Sequence, residues 1–314
     1  MKLLHGVFHL VHFNRFTIHF SVNLTYSALI FSKLYPTALY WKQEINFYYK
    51  RVYIMKWILL FSWVFLNAVS YSQTGSSITH SLPEGIDKIS QAVNHWNKSQ
   101  MDEAKTIFTD VVSSEPNNYR ALYWSAYADY RLAIYYLYAD ETPRDEDAGK
   151  RYIESAIAGI EKAIENNSQD ADCYALLGSL TGMKIMFNPI SGMWLGPKSN
   201  GHLDKALLLN DKNPRVVYLK GMNRLKSPSI FGGGPDKAIE QFEKAIVLFE
   251  AERQTTLTDP LIPRWGIEEC YSFLGNAYEK LGEINKARVA YQKALDINPS
   301  SLRAKKELAN VQNK

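Results

Sequence analysis

The sequence predicts an all-α solenoid of antiparallel helix pairs, and three observations predict it. Small and large apolar residues recur at helical spacing between Glu268 and Ser301, a similar pattern returns several times upstream, and proline or glycine closes the segments. In the clearest segment Leu274, Gly275 and Tyr278 place a notched apolar stripe on a first helix. Ala287, Tyr291 and Ala294 repeat at four and three residues on a second, so small residues permit close approach and large ones fill the gap. Pro299 ends that helix, because proline carries no N–H and disfavours helical geometry in the residue before it. One such pair cannot bury its own face, which requires further copies.

From the N-terminus, residues 1–54 hold four of the seven histidines and only one acid, Glu44, with no periodic pattern. They read as an upstream extension, untranslated or unstructured, with Met55 as the true initiator. Residues 55–72 then read as a secretory signal peptide: Lys56, an apolar run from Trp57, and small Ser70 and Ser72 suited to cleavage before Gln73. The run is shorter than the roughly 20 apolar residues of a membrane span. A short linker, 73–83, leads to the solenoid, 84–314. The expected location is therefore the periplasm or the exterior of a bacterial cell, with no stable membrane insertion after cleavage.

Removing residues 1–72 changes the charge. The chain has 36 basic and 32 acidic residues, but that segment supplies seven bases and one acid, leaving 29 against 31. A slightly acidic remainder without a basic stripe argues against nucleic-acid binding.

Within the solenoid, second-helix triads recur at Ala104, Phe108 and Val111, at Ala156, Ile160 and Ala163, and at Ala238, Phe242 and Ala245. The close-contact position of the first helices falls at Ala92, Ala126, Gly178, Gly221 and Gly275. The gaps between these positions exceed a period of roughly 34 in three of four cases. Two excesses are expected wholly between paired helices, in Tyr138–Gly149 and Phe187–Gly201, and a third is split between Ser227–Pro235 and Arg253–Gly266. Phe187, Ile190, Met193, Trp194 and Leu195 need cover: either they fold against Ile230 and Phe231 as a satellite core, or Trp194 and Phe231 belong to a docking surface. Leu302–Gln312 is expected to form a polar terminal helix that seals the array.

The spacing of Tyr271, Leu274, Gly275, Tyr278, Ala287, Tyr291, Ala294 and Pro299 resembles the tetratricopeptide repeat family. That resemblance implies a right-handed superhelix of about five repeats plus a capping helix, with first helices lining a concave groove. Its groove positions map onto Arg120, Tyr123, Tyr127, Tyr130 and Arg131, onto Tyr218, and onto Asn276 and Lys280. Independently, the second-unit residues fall three and four apart on one helix face. Tyrosine and arginine there suit recognition of a protein segment, although the same aromatic stripe also suits packing between repeats. The run Phe231–Phe242 is also similar to periplasmic tetratricopeptide components associated with TRAP-type transporters.

Chemistry-bearing motifs are lacking in the sequence. His80, His95 and His202 are far apart without metal-ligand spacing, and there is no nucleophile elbow, zincin helix or dinucleotide fingerprint. Gly232–Gly234 lacks the ending of a phosphate loop and reads as a helix cap before Pro235. Acids around Asp140–Asp147 lack calcium-loop spacing. Cys173 and Cys270 lie two repeats apart, so buried free thiols are expected. No metal, no cofactor and no catalysis are expected. The leading expectation is an exported, non-enzymatic scaffold or adaptor that binds a protein through its groove and inserted loops. The alternative is a small-ligand-binding periplasmic component of an uptake system, which would need a cavity rather than an open groove.

Overall fold

The computed structural model describes residues 81–139, 142–256 and 258–312. The upstream extension, the signal peptide, most of the linker, His80, Asp140 and Glu141 lie outside the described residues. Those described form eleven α-helices and no strand: α1 Leu82–Asn94, α2 Lys98–Ser114, α3 Tyr119–Tyr138, α4 Glu146–Asn166, α5 Ala171–Met183, α6 Gly192–Leu209, α7 Pro214–Lys226, α8 Pro235–Arg253, α9 Ile267–Lys280, α10 Ile284–Ile297 and α11 Leu302–Gln312.

Helix starts follow from local chemistry. Ser81, Asn97, Asn118, Asp145, Asp170 and Asn213 each accept a backbone N–H of the helix they open. This satisfies donors that the helix cannot. Ser81 forms a reciprocal capping box with Glu84, which moves the start of the solenoid two residues ahead of the expected position 84. Asp145, one of the acids in the first insertion, is the cap of α4. Gly234, at φ +124°, precedes Pro235 at the first turn of α8.

Helices pair α1 with α2, α3 with α4, α5 with α6, α7 with α8 and α9 with α10. Each second helix also packs on the first helix of the next unit, and α10 packs on α11. The glycine notches let the paired helices close. A Cβ on Gly275 would fall 2.4 Å from the Tyr291 ring, and one on Gly221 or Gly178 would fall 2.7 Å from Phe242 or Leu203. Ala287, Tyr291 and Ala294 are fully buried, as are the triads upstream except for slight exposure at Val111. Cys173 and Cys270 are buried free thiols.

The insertions are built differently from the expectation. Much of the extra length goes into helices, chiefly in the first insertion: α3, α4 and α6 have 20, 21 and 18 residues, against 14 each in α9 and α10. Residues 192–201, expected within an irregular loop, are helical. Pro197 lies inside this helix, where it withholds the N–H that would bond back one turn and crowds the carbonyl there. The helix is held from outside, by Ser199 Oγ donating to the Gly178 carbonyl at 2.7 Å and by Lys220 donating to Asn200 at 2.9 Å.

The concave face and its apolar rim

All five first helices contribute to one concave cavity of about 1860 Å³, with Ile86, Tyr127, Ser179, Tyr218 and Phe273 on its wall from α1, α3, α5, α7 and α9. The ends of the array approach across it: Asn298, after α10, donates to the Asn94 carbonyl at the end of α1 at 3.1 Å.

Segment 254–266, between α8 and α9, crosses the face that α3 presents. Arg120 pairs with Asp259. Trp124 Nε1 donates to the Leu261 carbonyl at 3.0 Å, and Trp265 Nε1 to the Tyr123 hydroxyl at 3.0 Å. The Trp265 ring stacks on Tyr127 with centroids 4.9 Å apart and lies edge-on to Tyr218 at 6.4 Å. Trp265 thereby touches both major core clusters. At the start of α9, Glu269 pairs with Arg131.

Tyr123, Tyr127, Tyr130 and Arg131 therefore share one face of α3, as their spacing requires, with Tyr218 of α7 nearby, but all five are buried and the surface they were expected to offer a partner is covered by the chain itself. Burial pushes the Tyr123 and Tyr218 hydroxyls well above the ordinary tyrosine range, and those of Tyr127 and Tyr130 upward too. Burial also disfavours the charge on Arg131, but Glu269, Tyr127 and Tyr130 outweigh it and keep the guanidinium charged. Asn276 and Lys280 lie apart from this group, beside a shallow hollow; Asn276 donates to the Tyr291 hydroxyl at 2.8 Å, and Lys280 is exposed.

The rim is the opposite case. Ile190, Met193, Trp194, Ile230 and Phe231 are 70%, 76%, 57%, 85% and 66% exposed, so the expected satellite core does not form. The reason is local: residues around 189–194 turn directly into α6, and Gly232 to Gly234 fold tightly against α7. A Cβ on Gly233 would fall 1.9 Å from the Ser227 carbonyl oxygen, so this turn has no freedom to lay Phe231 across its neighbour. The connections belong to one edge, since Tyr138 donates to the Met186 sulfur at 3.9 Å and its ring faces the Lys226 ammonium at 6.0 Å.

Sequence reasoning missed three contributors. Segment 254–266 reads as part of an insertion, although Leu261, Ile262 and Trp265 mark it as apolar. Lys226 and Arg303 line the cavity from α7 and α11, the latter over the Phe273 ring at 4.7 Å. Among the described residues no group of three or more His, Cys, Asp or Glu is placed to hold a metal ion, and no helix is long and apolar enough to cross a membrane.

The family model for the tetratricopeptide repeat matches residues 268–301, and that for the regulator of microtubule dynamics proteins 1–3 matches residues 86–225. No curated protein matches the chain. Among solved structures, TTC0263, a thermophilic TPR protein of Thermus thermophilus, superposes with a TM-score of 0.52 at 17% identity, over 73% of this chain and 100% of that one. The HusA haemophore of Porphyromonas gingivalis superposes with a TM-score of 0.51 at 20% identity, over 66% of this chain and 96% of that one.

Proposed function

We propose, for a chain that is a tetratricopeptide-repeat protein by its matched repeat and its fold, a role as an exported, non-enzymatic scaffold that takes a protein partner on its rim. A fold of this type points to protein interaction, while the partner stays unnamed. The observation that carries the reading is the set of five large apolar side chains exposed along one edge, on the first turn of α6 and the connections beside it. Such side chains lose free energy in water and gain it against an apolar segment of another protein. The groove contributes less than the sequence suggests at α3, whose face Asp259, Leu261 and Trp265 cover. Export rests on residues 55–72, with their lysine, apolar run and small-residue exit.

The test is cross-linking mass spectrometry on the full chain in its native cells, beside the double variant Trp194→Ser, Ile230→Ser. A partner cross-linked at 187–195 and 228–234, and lost from the variant while circular dichroism is unchanged, supports the rim. Retention by both forms refutes it. The mass of the recovered protein decides export, since cleavage leaves Gln73 at the N-terminus.

The cavity favours a second reading, the small-ligand component of an uptake system. Its volume exceeds the roughly 300–1,000 Å³ of ordinary ligand pockets, and Arg131 is on its wall.

A further inference from the structure

The cavity wall changes character from α3 towards α11. Near segment 254–266 its polar groups are engaged: Glu269 pairs with Arg131, and Glu268 accepts from Ser272 and Ser301 at 3.0 and 2.7 Å. Asp87 and Glu307 also border the cavity, Glu307 accepting from Asn310 at 3.5 Å. At the ends of α7 and α11 the pattern differs. Lys226 lies over the Tyr138 ring and Arg303 over the Phe273 ring, and neither has a carboxylate at ion-pair distance among the described residues.

We propose that this cavity binds a flat aromatic organic anion, its rings against Tyr138, Phe273 and Trp265 and its acid group between Lys226 and Arg303. Aromatic walls favour a planar ring, since offset stacking adds to the burial of its area. Methionines 183, 186 and 222 border the same space, and their unbranched side chains adapt to an irregular outline. The cations supply the anchor: Lys226 and the half-buried Arg303 border the cavity without a carboxylate at ion-pair distance among the described residues, and two such like charges gain from an incoming negative group. Burial, with Arg303 nearby, lowers the affinity of the Lys226 ammonium for its proton, in keeping with uncompensated positive potential at that point. The inference deepens the second reading above: it needs the cavity to take a small molecule, whether or not transport follows.

The experiment titrates the full chain with 1-pyrenebutyrate and, separately, with the uncharged 1-pyrenebutanol, followed by pyrene fluorescence. Saturable binding of the acid about tenfold tighter than the alcohol is expected, the worth of one partly desolvated ion pair. In the double variant Lys226→Gln, Arg303→Gln the two probes should bind alike. Trp194→Ser with Ile230→Ser, which alters rim residues off the cavity wall, should leave both affinities unchanged. The comparison of acid with alcohol on the unaltered protein needs no variant to fold. Absence of acid binding, equal affinity for the two probes, or loss of binding in the rim variant overturns the proposal. A small molecule found by native mass spectrometry in protein from its own cells, when pyrenebutyrate does not bind, refutes the aromatic-anion assignment and leaves the second reading standing.

Discussion

Trp265→Ala tests whether segment 254–266 is part of the folded array or merely lies on it. A fully covered aromatic side chain buries about 150–250 Å², which at about 25 cal/mol per Å² is about 4–6 kcal/mol. Trp265 is covered over at least about two-thirds of its surface, so about 3–5 kcal/mol of this should be lost. The Tyr123 hydroxyl is then left without the indole N–H, its only hydrogen-bond donor among the described residues. A buried group losing its partner costs a further ~1–3 kcal/mol. The expected destabilisation is thus about 4–8 kcal/mol in all, large against the roughly 5–15 kcal/mol of a whole domain. Trp265→Phe, which keeps the ring contact with Tyr127 and removes only the donor, should cost about 1–3 kcal/mol. Urea unfolding of the full chain measures both, and limited proteolysis at 254–264 reports detachment. If both variants unfold within about 0.5 kcal/mol of the parent and resist protease equally, the segment contributes nothing and the account of the covered face is wrong.

The packing and the charges give two further outcomes. Gly275→Ala drives a methyl into the Tyr291 ring and should destabilise by about 1–3 kcal/mol, whereas Gly201→Ala, in α6 with nothing within 4 Å, should stabilise by about 0.5–1 kcal/mol; thermal melts of the pair measure the contrast. Burial, and then Glu269 beside it, raises the Glu268 carboxyl above its ordinary 4.5, so the folded state holds its proton more tightly than the unfolded state. The stability from that proton is complete below 4.5 and lost as pH rises through the raised value. Glu268→Gln, always neutral, should therefore melt higher than the parent at pH 7 and alike near pH 4, and a lower melting temperature at pH 7 would contradict this.

Much of the fold was legible because it rests on local rules. Residues three and four apart share a helix face, and a glycine notch opposite a ring brings paired helices together. Gly275 with Tyr291 and Gly221 with Phe242 could be matched as partners from spacing, and the terminal helix Leu302–Gln312 from its polarity. The second-unit groove residues were legible as one face for the same reason. Whether that face met solvent was not, since periodicity says which residues point together and nothing about what comes to lie on them.

Helix pairing, repeat register and the shared face of Tyr123, Tyr127, Tyr130 and Arg131 were thus determined by sequence alone, through contacts at short and regular separation. Only the tertiary structure decided that Trp265 covers that face, that Lys226 and Arg303 border one cavity, and that Trp194 and Phe231 are left exposed. The first two depend on how far the array curves, which brings residues well over a hundred positions apart to hydrogen-bond distance, as in Trp265 with Tyr123 and Asn298 with Asn94; the third follows from the tight turns at the rim. Curvature is the sum of small rotations between successive units, set by side-chain packing at every interface, and no local pattern in the chain encodes that sum.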